Sequence, residues 1–136
     1  MLQVVGAVLI KNDKILLPKR SSVLSKYPKF YEFPGGKVEK KETLKMALKR
    51  ELNEELSIDV DETDILEFNE NSLTTEKMIL TIFIVNKWKG NITLDPKIHS
   101  EMIEVNVNRL KNIEDLLESD KNIVDAVINY LLNSKL

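Results

Sequence analysis

Apolar residues in this chain come in runs and stripes, and the spacing of each predicts an element. Val4 to Ile10 is almost unbroken in apolar residues and rich in β-formers, the pattern of a strand covered on both faces. Asn12-Asp13 is a turn signal, and Lys14 to Leu17 reads as a second strand paired to the first through a hairpin. Ser21 to Lys29 is polar and predicts a loop. In Tyr31-Glu32-Phe33-Pro34-Gly35-Gly36-Lys37 the proline and the two glycines are expected to break any regular element. Thr43 to Leu56 contains neither Gly nor Pro, and Leu44, Leu48, Leu52 and Leu56 recur at helical spacing behind Thr43 as N-cap. Met78 to Val85 predicts another β-rich strand, extended to Trp88 and closed by Lys89-Gly90, and Met102 to Val107 a short further one. Ile123, Val124, Val127, Ile128, Leu131 and Leu132 form the apolar face of a C-terminal helix. Strands, helix, strands, helix, with no internal repeat or linker, predict one α/β domain over residues 1–136, its helices packed on a mixed sheet.

Composition narrows the chemistry. The 136 residues suit a single domain, and 43% hydrophobic with 31% charged residues excludes disordered and collagen-like readings. Cysteine is absent, which removes disulfides, thiolate nucleophiles and Cys-based zinc sites, and one histidine excludes a histidine-rich metal site. The formal charge of −2 provides no basic field for a nucleic-acid polymer or an anionic membrane. A polyphosphate substrate would therefore need local cations or bound metal. The N-terminus lacks the basic start of a signal peptide, and its apolar run is shorter than the ~20 residues that span a bilayer. A soluble, cytoplasmic protein is expected, either a monomer or a homodimer.

The most informative stretch runs from Gly36 to Ile58. Glu51, Glu54 and Glu55 share one helix face. At about 100° per residue from Leu44, Glu54 falls near 280°, Glu51 near 340° and Glu55 near 20°, among the leucines instead of opposite them. Lys45, Lys49 and Asn53 take the far side. Carboxylates clustered at a protected face repel one another unless they are protonated or bridged by a cation. A hard divalent ion with oxygen ligands answers that repulsion, and Mg²⁺ with substrate phosphates is the commonest case.

These residues resemble the box of the Nudix (MutT-like) hydrolases, G-x5-E-x7-R-E-U-x-E-E-x-G-U with U a bulky aliphatic. Gly36, Glu42, Arg50, Glu51, Leu52, Glu54, Glu55 and Ile58 match it at the required spacing. Ser57 is the departure, standing where the family has glycine at the helix end, so altered stability is expected before lost chemistry. The resemblance implies an α/β/α sandwich, with the loop–helix–loop of the box on one side of a mixed β-sheet and the C-terminal helix on the other. It also implies hydrolysis of a nucleoside diphosphate linked to another group. Glu51, Glu54 and Glu55 become the metal and catalytic carboxylates, with the carbonyl of Gly35 or Gly36 as a further ligand of Mg²⁺ (or Mn²⁺). Glu42 and Arg50 become the ion pair that orients them.

Outside the box, the segment from Tyr31 to Glu39 and Leu16-Leu17-Pro18-Lys19-Arg20 resemble the nucleotide-sanitising branch of that family. Arg20 would then contact nucleotide, or be a strand-end surface arginine; Lys37 would touch phosphate, or be solvated. Ser119 to Ala126 resembles the branch's base-reading segment, which makes Asp120 the residue reading the nucleobase edge, with a plain helix N-cap as the alternative; Asn122 is a weaker candidate. Relatives supply one more carboxylate after a long strand, where this chain has Ile98-His99-Ser100-Glu101. Glu101 or His99 would substitute for it, or the base role falls to Glu51 or Glu54. The expected activity is Mg²⁺-dependent hydrolysis of free (d)NTPs, oxidised or modified ones such as 8-oxo-dGTP or (d)CTP-like pyrimidines, to monophosphate and pyrophosphate. The competing readings are a dinucleoside polyphosphate, ADP-ribose or nucleotide-sugar hydrolase, and a non-catalytic nucleotide sensor.

Overall fold

A computed structural model describes residues 2–73 and 77–133. The strands are β1 (Leu2–Lys11), β2 (Lys14–Arg20), β3 (Gly35–Lys37), β4 (Ile65–Leu73), β5 (Met78–Val85) and β6 (His99–Asn106). The helices are α1 (Leu44–Leu56), α2 (Glu118–Lys121) and α3 (Val124–Asn133), with 3₁₀ turns at Glu62–Asp64 and Val107–Asn112. The strands form one mixed sheet in the order β4-β5-β1-β2-β6. β1 runs parallel to β5 and antiparallel to β2, and β3 pairs with the first half of β1.

The apolar run of β1 splits by the twofold period of a strand. Val5, Ala7 and Leu9 face α1, packing with Leu16, Phe83 and Val85 against Ala47, Leu48, Leu52 and Leu56. Val8 turns the other way, joining Ile15, Leu17, Ile82 and Ile84 under Ile123, Val124 and Val127 of the C-terminal segment. Two apolar layers around one sheet make the expected α/β/α sandwich, with α1 on one side and α3 on the other.

The expectation that Pro34, Gly35 and Gly36 break regular structure is corrected: Gly35–Lys37 is a strand, registered Gly6↔Gly35, Val5↔Gly36 and Val4↔Lys37. The glycines admit the pairing instead of preventing it. A Cβ on Gly35 would run into the backbone of Val5 and Gly6. Only the last residues of β1 pair with β2, from Leu9↔Leu16 to Lys11↔Lys14, so β3 occupies the edge of β1 that β2 leaves. β5 ends at Val85, and beyond it Lys89 pairs in an isolated bridge with Asp59, leaving Trp88 outside the strand. β6 begins at His99, three residues before the expected start.

Candidate active site

Thr43 caps α1 as expected, accepting the Met46 N–H at 3.1 Å. The helix ends on Ser57 in the left-handed region (φ 60°), whose N–H donates to the Asn53 carbonyl. Between these caps Arg50 is the hub of the box. Its guanidinium grips both oxygens of Glu42 (2.8 and 2.9 Å) and donates to Glu51 Oε1 at 2.9 Å, Glu54 Oε2 at 3.3 Å and the Lys37 carbonyl at 3.0 Å. Glu42 also accepts the Glu39 N–H. The Arg50 fork, then that N–H, hold the Glu42 carboxyl at a pKa of about 2. Glu42 and Arg50 therefore tie the β3–α1 loop to the carboxylate face.

Gly36 lies directly under Glu51. A Cβ there would come within 2.6 and 2.7 Å of the two Glu51 oxygens, so the carboxylate occupies the space that a side chain would fill. The ladder also distinguishes the two glycine carbonyls. Ala7 N–H donates to Pro34 O and Val38 N–H to Gln3 O. Antiparallel alternation then makes Val5–Gly36 the hydrogen-bonded pair and turns the Gly35 and Lys37 carbonyls toward the opposite edge. Lys37 O meets Arg50 there, consistent with that direction.

Glu55 is the most deeply set of the three box carboxylates. Burial first, then the charges of Glu32 and Glu51 and a hydrogen bond with Glu51, push its pKa up to about 9, with Arg20 opposing. Its Oε2 is buried without a hydrogen-bond partner. Beside it stand two residues from other elements. Glu32 accepts from Arg20 Nη1 at 3.2 Å and lies 2.7 Å from His99 Nε2. One donor atom from each of Glu32, Glu55 and His99 falls within 4.8 Å of the other two. By contrast the Glu54 side chain is 57% exposed, at the edge of the stripe.

A cleft of about 480 Å³ opens beside this face, lined by Arg20, Tyr27, Glu32, Phe33, Gly35, Gly36, Lys37, Asp120 and Asn122 among others. Arg20 is braced by the Lys26 and Tyr27 carbonyls as well as by Glu32. Asp120 is buried inside α2 and caps no helix; its Oδ2 accepts the Phe33 N–H at 2.9 Å. Burial raises its pKa well above the usual carboxylate range, against that hydrogen bond. Of the aromatics, Tyr27 and Phe33 line the cleft, whereas Phe83 lies in the α1 core and Trp88 packs beside it.

The structure thus brings together Arg20, Gly35, Gly36, Lys37 and Asp120 around one cleft, and Glu51, Glu54 and Glu55 on the adjoining helix face. Glu101 stands apart: its half-exposed carboxylate pairs with Lys19 at 3.7 Å. His99 is fully buried against Glu32. Glu32 is the residue that the sequence reading missed. Its signal was an acidic residue inside an otherwise apolar and glycine-rich stretch, next to the turn that carries the box.

Residues 1–127 match the NUDIX domain, and the chain belongs to that family. It is 35% identical over 88 residues to an 8-oxo-dGTP diphosphatase of Proteus vulgaris, covering 65% of this chain and 78% of that one. It is 46% identical over 59 residues to a CTP pyrophosphohydrolase of Escherichia coli K12, 43% of either chain. The solution structure of the E. coli ORF135 protein superposes with a TM-score of 0.82 at 24% identity, covering 99% of this chain and 94% of that one. Among the described residues no helix is long and apolar enough to cross a membrane.

Proposed function

We propose that this chain is a divalent-metal-dependent nucleoside triphosphate pyrophosphohydrolase: a single cytoplasmic domain that cleaves free (d)NTPs to monophosphate and pyrophosphate. Modified substrates such as 8-oxo-dGTP or (d)CTP-like pyrimidines fit best, since the relatives above bear the names 8-oxo-dGTP diphosphatase and CTP pyrophosphohydrolase. The observation that carries the reading is the placement of Glu51, Glu54 and Glu55 on one helix beside a cleft that ends on a buried acid, Asp120.

The residues fit a divalent cation. A buried, unpartnered carboxylate oxygen on Glu55, among other acids, is a costly arrangement that a cation relieves. Glu51, Glu54, Glu55 and the outward-turned Gly35 carbonyl would hold Mg²⁺, or Mn²⁺ in its place. Bound there, the ion supplies polarisation of the phosphoryl oxygens and a lowered pKa for the attacking water. Arg50 fixes the directions of Glu51 and Glu54. Arg20 and Lys37 bring cationic charge to the polyphosphate, which the whole-chain charge does not provide. Asp120, whose carboxyl pKa burial raises, could donate to a base carbonyl when protonated and accept from an amine when ionised. With Ile98 apolar, Glu101 on Lys19 and His99 on Glu32, the proton of the attacking water falls to Glu54, the most exposed of the box carboxylates.

The test is pyrophosphate release with Mg²⁺ across canonical and modified nucleoside triphosphates, with ADP-ribose and a dinucleoside polyphosphate followed by their nucleotide products. One triphosphate should be preferred, and Glu54→Gln should lower kcat by at least about 10²-fold with an unchanged melting temperature. Unchanged turnover in Glu54→Gln, or activity confined to ADP-ribose, would refute the assignment.

A further inference from the structure

β6 carries an irregularity where it meets the end of β2, and that irregularity decides where the chain's one histidine points. Leu16 packs in the α1 layer, so strand alternation puts Pro18 and Arg20 on the same face, and Met102, opposite Pro18, packs there too. Continued without a break, the alternation would give the next place on this face to Ser100 and turn His99 to the other side. Instead the register steps from Lys19↔Glu101 to Arg20↔His99, which makes Ser100 the extra residue of a bulge. His99 is thereby brought round opposite Arg20, onto the α1 side, where it is fully buried and a ring nitrogen lies within 4.8 Å of Glu55. Glu32 links the two partners: its Oε2 is 2.7 Å from His99 Nε2, and its Oε1 accepts from Arg20 Nη1 at 3.2 Å. The other ring nitrogen, Nδ1, has no partner. A bare Nε2 would set its lone pair against a carboxylate oxygen, so Nε2 carries the proton and donates.

We propose that His99 is a positioning residue for nucleotide binding: it fixes Glu32, and Glu32 fixes the direction in which Arg20 meets the polyphosphate. Arg20 needs such a stop. Its Nε donates to the Lys26 and Tyr27 carbonyls and its Nη2 to Lys26, all within one loop. In that loop Tyr27 and Lys29 hold left-handed backbone (φ 49° and 67°) on either side of Pro28. Among the described residues, Glu32 is the partner that ties the guanidinium to something outside the loop. These bonds leave one N–H on each terminal nitrogen of Arg20 for a phosphate oxygen. Because the guanidinium is planar, the direction of both follows once the Glu32 carboxylate is fixed. His99 supplies that fixity from a buried position that solvent cannot compete for. The inference rests on the reading above of Arg20 as a nucleotide contact; the bond between His99 and Glu32 does not depend on it.

Because the chain has one histidine, nitrogen-15 NMR of untagged, chelator-treated, histidine-labelled protein reads its ring nitrogens without overlap. Nε2 should carry a proton, and its signal should be displaced in Glu32→Gln. A bare Nε2, or a signal indifferent to Glu32→Gln, would overturn the clamp whatever reaction the protein performs. The kinetic arm compares two amides by reach, since a glutamine amide nitrogen attains the place of Nε2 and an asparagine nitrogen only that of Nδ1. His99→Asn should raise KM for the preferred triphosphate at least about tenfold, the loss of one hydrogen bond to a charged group, with kcat within about twofold. His99→Gln should keep KM within about threefold of the unaltered protein. In an Arg20→Gln background, His99→Asn should cost no more than about a further twofold in kcat/KM. A histidine that only packs predicts equal losses for the two amides, carried in full into the Arg20→Gln background; either result would overturn the proposal. Should His99→Asn lack cooperative thermal unfolding, Glu32→Gln replaces it in the same cycle with the same expectation. A protein that hydrolyses no triphosphate would refute the proposed reaction and leave the NMR result to decide the clamp.

Discussion

Replacing Gly36 with alanine isolates the contact between β3 and the box carboxylate. The backbone permits the change, since Gly90 is the glycine with a positive φ among the described residues. The new methyl would fall 2.6 and 2.7 Å from the Glu51 oxygens. The methyl would lie closest to the Glu51 carboxyl carbon, so ordinary van der Waals contact requires the carboxylate to retreat by roughly 1 Å. A reacting group misplaced by about 1 Å costs on the order of 10²-fold in rate. Gly36→Ala should therefore lower kcat by about 10- to 100-fold, or roughly 1.4–2.7 kcal/mol of transition-state stabilisation. Stability should change by less than about 1 kcal/mol, because a compatible Gly→Ala change restricts the unfolded chain and offsets the displaced side chain. Gly35→Ala is the contrast: its Cβ meets the backbone of Val5 and Gly6, which cannot swing aside, so the β1–β3 pairing is lost and the melting temperature falls. Steady-state pyrophosphate release and urea denaturation on both variants decide the matter. Adding Glu51→Asp to Gly36→Ala should cost less than the two single changes combined, because the shorter acid clears the methyl. Full activity in Gly36→Ala, or unfolding as severe as in Gly35→Ala, would refute the account.

Further expectations concern the helix and the carboxylates. Ser57→Gly should raise stability by about 0.5–1 kcal/mol in urea denaturation, since Ser57 holds φ 60° at the end of α1, and activity should not change. Leu52→Ala removes a fully buried side chain between α1 and the sheet; a loss of about 2–5 kcal/mol is expected by the same assay, and less than 1 would contradict the packing described. In chelator-treated protein, Glu55 retains its proton in the folded state up to a pKa of about 9, against 4.5 as its ordinary value. Its contribution is therefore fully present below pH 4.5 and lost as pH rises toward 9. Stability measured from pH 5 to 9 should fall, and Glu55→Gln should flatten that slope. Glu42 has the opposite sign: its contribution is present above 4.5 and lost as pH falls through about 2, which Glu42→Gln should abolish.

How far the fold was legible depended on how strongly each segment repeats one period. α1 announced its cap, stripe and end because leucines recur every fourth residue behind a threonine. β1 and β5 announced themselves as apolar runs. β4 went unread because Ile65-Leu66-Glu67-Phe68 gives way to polar residues, and its register shifts between Glu67 and Glu70, as befits an edge strand with a single neighbour. β3 was misread because glycine serves equally as a breaker and as the residue of closest backbone approach, and only the position of Val5 decides between them. At the site, spacing within one helix located Glu51, Glu54 and Glu55. The meeting of Glu32, Glu55 and His99 depends on three elements distant in sequence, which no local pattern encodes.

The parallel pairing of β1 with β5, Leu2 against Met78 through Leu9 against Val85, has a consequence for biosynthesis. During synthesis the whole box is made before the strand that completes the centre of its sheet. Until β5 arrives, β1 can pair with β2 and β3, but its other edge stays open and α1 lacks the Phe83 and Val85 side of its floor. Closing that long loop costs entropy before the new contacts return it. The carboxylate face is thus expected to become competent to hold metal late and in one step, so an unfinished chain carries the complete motif without yet possessing the site.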